Sequence, residues 1–143
     1  MSEDIIMSDF NKLKKVCDEL SSKKILVGIV GNVNSEVIKI AHIHEYGTGK
    51  MPERSFIRAS FDTDKEKIDS IIKTSIDKII LKKVDAVSAM NATGAQLAQL
   101  IQNFIDTNKV KPKSNYKNKT QYTTLYETGT HIRDRIAYEI KEE

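Results

Sequence analysis

The sequence predicts an α+β fold, on three observations. Residues 63–82 and 85–106 carry apolar side chains three and four apart, the spacing of helix faces. Lys24-Ile25-Leu26-Val27-Gly28-Ile29-Val30 is short, rich in β-branched residues and closed by Gly31-Asn32, which reads as a buried strand. Arg135-Ile136-Ala137-Tyr138-Glu139-Ile140-Lys141 alternates in period two, which reads as a half-buried strand. A length of 143 residues suits one domain, 1–143, able to bury a core of its own.

Ser8 is the expected cap of a first helix over residues 9–22, with Phe10, Leu13, Cys17 and Leu20 on one inward face. Cys17 falls inside that stripe and is expected to be a small core residue. After the 24–30 strand, Ser35 is the expected cap of a short helix, with Glu36 in its first turn and Val37, Ile40, Ala41 and His44 inward. Gly47 and Gly49 end it, and Pro52 opens another helical turn, where a missing N–H costs nothing. Thr63 and Glu66 form a capping box for a helix striped with Ile68, Ile71, Ile72, Ile76, Ile79 and Ile80. Asp85 caps the next helix, whose seam is Val87, Met90, Gly94, Leu97, Ile101 and Phe104. These two helices are expected to pair as an antiparallel hairpin, within a core spanning 24–106. Gly94 on the seam permits close backbone approach.

Residues 107–126 contain no acid and carry Lys109, Lys111, Lys113, Lys117 and Lys119, with Pro112 and several Asn residues breaking any period. They read as an extended, exposed, Lys-rich loop. A turn or short helix at Thr128–Arg133 precedes the last strand, completing a C-terminal unit over 128–141.

The formal charge is +3, from 23 basic and 20 acidic residues, too balanced for a dedicated DNA-binding protein. One cysteine excludes an intrachain disulfide and a Cys-based metal site. The first residues lack the basic and apolar stretches of a signal peptide, and no run is long enough to span a membrane. A reducing cytosol is therefore expected. His42-x-His44-Glu45 invites a metal reading, yet positions i and i+2 of a helix diverge by about 200° and do not grip one ion. No G-x-S-x-G, P-loop or dinucleotide glycine pattern occurs. Neither catalytic residue, metal nor cofactor is expected.

The most informative stretch is Ile40-Ala41-His42-Ile43-His44-Glu45-Tyr46-Gly47-Thr48-Gly49-Lys50-Met51-Pro52-Glu53-Arg54-Ser55-Phe56. It resembles the segment A-x-x-H-E-[FY]-G-…-P-x-R-x-F of small tail-completion and neck proteins of tailed bacteriophages. Gly94 with Leu97, Ile101 and Ile105 is similar to that family's G-x-x-x-x-x-x-I-x-x-x-I helix. Lys111-Pro112 and Tyr116-Lys117 fall where the family carries Pro-rich residues and a T-I-x-x-K segment. Ser114-Asn115 replace the T-I pair, and Asn118 stands where the Lys would fall. Leu125-Tyr126-Glu127-Thr128-Gly129 is similar to its P-L-[IV]-D-T-G turn, with Thr124 for the Pro and Glu127 for the Asp. Ile136–Ile140 is similar to its closing strand.

The resemblance implies a small antiparallel sheet flanked by helices. It also implies a virion part that completes the head-proximal end of a tail and joins it to the head or collar. The part would be a homo-oligomeric ring, hexameric by that likeness, contacting tail-tube or terminator and connector or collar proteins, with DNA only passing through the lumen. Its location would be the virion, and the host cytoplasm during assembly. The alternative is a nucleic-acid-binding module acting through residues 107–126.

Within this frame Glu45, Tyr46, Gly47, Gly49, Pro52, Arg54 and Phe56 form a structural elbow. Gly47 or Gly49 is expected at positive φ, Phe56 and Ile57 buried against Ile25–Ile29, and Arg54 paired back to Glu45 or to a neighbouring subunit. His42 and His44 are assigned no ligand or acid–base role. Lys109, Lys111, Lys113, Tyr116, Lys117, Lys119, Tyr122, Tyr126, Thr128 and Gly129 are the expected oligomer or partner contacts, with the 86–106 seam as a second surface for the ring.

Overall fold

The computed structural model describes residues 3–31, 33–49, 53–82, 84–107 and 132–142. In chain order these are α1 (Glu3–Ser21), β1 (Lys23–Gly28), α2 (Ser35–Tyr46), α3 (Ile57–Thr63), α4 (Lys65–Leu81), α5 (Ala86–Asp106), a 3-10 turn (Ile132–Arg135) and β2 (Ala137–Glu142). The fold is α+β: among the described residues helices pack with a two-stranded antiparallel sheet, in register from Lys23 opposite Glu142 to Gly28 opposite Ala137. Ile29 and Val30, expected within the strand, lie past its last rung because β2 begins only at Ala137. Among the described residues no helix is long and apolar enough to cross a membrane.

The organising element is α5. Asp85 caps it as expected, accepting a hydrogen bond from the Ser88 N–H at 3.0 Å. Its buried residues exceed the narrow seam: Ala86, Ala89, Thr93, Ala98, Leu100 and Ile105 join Met90, Gly94, Leu97, Ile101 and Phe104. A helix buried over so wide an arc is the core of its own subunit. The expectation that this seam meets a neighbouring subunit is therefore corrected.

Helix α4 packs antiparallel to α5. Ile68 meets Leu97 and Leu100 at one end, Ile79 meets Ala86 and Ala89 at the other, and the Ser75 and Thr93 hydroxyls lie 2.7 Å apart between them. The stripe is only half used, since Ile72, Ile76 and Ile80 remain 41%, 41% and 44% exposed. The Thr63–Glu66 capping box does not form. The Asp64 N–H donates to Ser60 O and the Ile68 N–H to Asp64 O, so the chain passes from α3 into α4 without a free helix start to cap.

Helix α1 begins at Glu3 and includes Ser8, which costs an exposed helix little. Its inward contacts are Val16 and Leu20 against Ile79, Ala86 and Ala89. Phe10, Leu13 and Cys17 are exposed, so the expected inward stripe is corrected and Cys17 is no core residue. Asn34, not Ser35, caps α2, accepting from the Glu36 N–H at 2.9 Å.

The chain's end closes the core. Ile132 and Ile136 are buried with Phe56, Ala98, Ile101, Phe104 and Ile105. Arg133 donates to both Asp106 oxygens, at 3.0 and 2.8 Å, countering an acid placed at the negative end of α5. The sheet lies on α5, where Gln102 Nε2 donates to Ile136 O at 3.2 Å and Tyr138 Oη to Asn91 Oδ1 at 3.0 Å.

Close approach at Gly94 is real, and its neighbour is Tyr138 of the sheet. A Cβ on residue 94 would stand 2.4 Å from Tyr138 Cδ2 and 2.6 Å from Cγ. Gly94→Ala should cost about 1–3 kcal/mol by overpacking, although alanine favours helix. In a double-mutant cycle read by urea unfolding, Gly94→Ala with Tyr138→Ala should be less destabilised than the two single effects summed. Additive effects would contradict this packing.

Candidate functional site

The segment from Glu45 to Arg58 folds as a tight junction between α2 and α3. Gly47 ends α2 at φ 74, reached without penalty by a residue lacking Cβ, and its N–H donates to Ile43 O at 2.7 Å. Arg54 lies back against the end of α2, its N–H donating to His44 O at 2.7 Å. The positive φ expected at Gly47 or Gly49 is thus found at Gly47; Gly49 is exposed, and Pro52 lies outside the described residues. Residues 53–55 are non-helical, so α3 starts at Ile57 rather than at Pro52, and the earlier start is corrected.

A helix leaves its first N–H groups without intrahelical partners. Phe56 occupies the cap position of α3 and has no side-chain acceptor to offer. Glu45, from the last turn of α2, supplies it. Oε2 accepts from the Phe56 and Ile57 N–H groups at 3.0 and 2.9 Å. Oε1 accepts from the Arg58 N–H at 2.8 Å, the Ser55 hydroxyl at 2.8 Å and Arg58 Nε at 3.0 Å. Ser55 Oγ in turn accepts from the Ala59 N–H at 3.0 Å, which completes the first turn. The carboxylate also sits at the positive end of a helix, where the backbone favours an anion.

Burial opposes the Glu45 charge and is the largest single influence on its carboxyl. The Ile57, Arg58 and Phe56 amides, with the Ser55 hydroxyl, together outweigh it and hold the pKa below its ordinary value. The ion pair of Glu45 is with Arg58, not Arg54. Arg54 is itself buried, 1% exposed, and donates through Nη2 to His44 Nδ1. A guanidinium can only donate, so Nδ1 accepts and the ring proton resides on Nε2. The expected Glu45–Arg54 brace is therefore replaced by two: Glu45–Arg58 and His44–Arg54. His44 is a buried structural partner, so replacing it is not neutral to the fold.

Phe56 is fully buried and packs in the main core with Val27 and Ile29 at its edge, while Ile57 Cδ1 rests against Gly28. Outside the junction the surface is aromatic and apolar. Arg58 lies 4.4 Å from the centre of the Tyr46 ring, and the centres of the His42 and Tyr46 rings are 4.7 Å apart. Ile29, Ile38, Ala41, Phe56 and Ile57 floor a shallow groove of about 260 Å³ that His42, Tyr46 and Arg58 rim.

The acceptor capacity of Glu45 is taken up by amides, hydroxyl and guanidinium, which leaves it poorly placed to act as a base. Among the described residues no group of three His, Cys, Asp or Glu side chains is arranged to hold a metal ion. This arrangement can brace two helices and present a groove.

Glu45, Tyr46, Arg54 and Phe56 are brought together with Gly47 as the pivot. Lys109, Lys111, Lys113, Tyr116, Lys117, Lys119, Tyr122, Tyr126, Thr128 and Gly129 lie outside the described residues. Sequence reasoning missed Ser55 and Arg58. A cation in the first turn of a helix is disfavoured by the dipole, and Arg58 there was the available sign that an acid must sit beside it.

Phe56→Ala should cost about 3–5 kcal/mol in urea unfolding, the range for a fully buried phenylalanine. Glu45→Gln removes the charge that several buried donors share and should cost about 3 kcal/mol at neutral pH. Because the folded carboxyl titrates below its ordinary value of 4.5, its contribution is complete above that value and fades as pH falls through the folded pKa. Stability curves of wild type and Glu45→Gln should therefore converge in acid, and parallel curves would refute this role. The chain matches no protein-family model, no curated protein and no solved structure.

Proposed function

We propose that this protein is a non-enzymatic structural subunit of a tailed-phage neck or a phage-tail-like particle. It forms a ring that completes the head-proximal end of the tail and joins it to the head or collar. One observation carries the reading. Of the residues through which the sequence resembles tail-completion and neck proteins, His44, Glu45, Arg54 and Phe56 converge on one braced junction. Their polar groups are committed to holding α2 against α3, which is the work of a scaffold.

A ring requires a heterologous contact, one face of each subunit meeting a different face of the next. Two exposed apolar areas on different elements support this. The first is the elbow groove with Ile38 and Tyr46, 49% and 55% exposed; the second is α4, with Ile72, Ile76 and Leu81. Partners of the completed ring are the tail tube or its terminator on one side and a connector or collar protein on the other. DNA passes through the lumen, and the mature protein resides in the virion.

The test is assembly of the full chain, alone and with its tail-tube and neck neighbours, read by light scattering and negative-stain microscopy. Closed rings are expected. Ile38→Glu and Ile76→Glu should each abolish closure while leaving thermal unfolding unchanged. Mixed together, the two variants should join through their intact faces without closing a ring. A protein that stays monomeric in every mixture overturns the reading. So does duplex-DNA binding without rings, with a log–log salt slope near −4.5, roughly that of five neutralised phosphates.

A further inference from the structure

Helix α1 carries an apolar seam that its own subunit covers only at the C-terminal end. Ile6, Phe10, Leu13, Cys17 and Leu20 alternate four and three residues apart, the heptad spacing of a helix that packs along another helix. The subunit packs on the C-terminal end of this helix through Val16 and Leu20, and Asp9 and Leu13 border an open groove toward Ile79 and Ile80. Ile6, Phe10 and Leu13 are 54%, 59% and 44% exposed, and Met7 beside them is 55% exposed.

The charges beside the seam specify what fits it. With Phe10 and Cys17 at heptad position a and Ile6 and Leu13 at d, Asp9 takes position g and Lys14 position e. Side chains at g and e of facing helices meet across a parallel pair and set its orientation. In a parallel pair of α1 helices Asp9 of each copy reaches Lys14 of the other, giving two equivalent ion pairs. In the antiparallel register that sets Phe10 against Leu13, Asp9 faces Val16 and Lys14 faces Met7, leaving both charges unanswered. Neither Asp9 nor Lys14 forms an ion pair with another described residue of its own subunit.

We propose that the exposed seam of α1 is a self-association site whose partner is α1 of a second copy of this chain, packed parallel. Phe10 and Leu13 interdigitate with their mates, Asp9 pairs with Lys14 across the contact, and Cys17 faces the partner's equivalent cysteine. Two heptads make a short coiled coil, so the contact is concentration-dependent. It lies on a different element from the elbow and holds whether or not the particle is a ring.

The experiment uses the full chain. Sedimentation equilibrium from low micromolar concentration upward should show self-association. Copper–phenanthroline with dissolved oxygen, which oxidises two facing thiols to a disulfide, should trap a Cys17-linked dimer that Cys17→Ser abolishes. Phe10→Glu should weaken association by about tenfold or more, with circular dichroism and melting unchanged, since Phe10 contributes no core. Ile6→Gln serves as a second variant should Phe10→Glu misfold. Asp9→Lys and Lys14→Asp should each weaken association, and the two combined in one chain should restore it. A monomer at every concentration overturns the proposal, as does association indifferent to Phe10→Glu and Ile6→Gln. Association that depends on Phe10 but neither links through Cys17 nor responds to charge reversal overturns the parallel pairing.

Discussion

The fold turns on a carboxylate borrowed by one helix from another. Helix α3 is preceded at its cap position by Phe56, a residue needed in the core and without a side-chain acceptor to cap the helix. Glu45 resolves that conflict from eleven residues upstream, accepting from three successive backbone amides. The geometry fixes the start of α3 against the end of α2 within hydrogen-bond tolerance. Phe56 is thereby aimed at Ala98, Ile101 and Ile105 on α5. Without the carboxylate, the same burial would strand amide groups away from water, at a cost comparable to the apolar gain.

From that junction the remaining packing follows. Helix α3 passes into α4 at Asp64, so the direction set by Glu45 is inherited by the seventeen-residue helix that lies along α5. On the opposite side the sheet settles on α5 only because Gly94 leaves room for the Tyr138 ring. Helix α5 thus receives α3 and α4 on one flank and the two strands on another. This explains why its buried arc is so much wider than a two-helix seam.

Most of this was legible where local chemistry and periodicity agree. The Asp85 cap and the bounds of α5, both strands, the α4–α5 pairing and the Gly47 pivot follow from cap chemistry, period and glycine placement. What failed was the assignment of partners. An isoleucine stripe says that a helix has an apolar face, not how much of it the same chain will cover, and Ile72, Ile76 and Ile80 remain exposed for that reason. The same holds for Phe10 and Leu13 on α1. At the junction, an acid and an arginine nine residues apart, Glu45 and Arg54, made the natural pair, yet the winning cation was Arg58. A turn of α3 brings Arg58 beside the carboxylate that caps that helix, whereas Arg54 precedes the helix and turns inward to His44. With α3 starting at Ile57 rather than near Pro52, it is Arg58 that falls in its first turn beside the carboxylate.

The elbow divides its chemistry between inside and outside. Inside, Glu45, Ser55, His44 and Arg54 use their hydrogen-bonding capacity on one another and on the backbone. Outside, Arg58 lies beside Tyr46 at the rim of a groove with an apolar floor. Arginine and tyrosine with an apolar floor are the residue types that carry binding energy when a partner excludes water from them. Because Arg58 is already oriented by Glu45, docking there would lose less side-chain freedom than at a mobile surface arginine. The ion pair that starts α3 therefore also prepares the surface above it, and folding and contact are served by one charge.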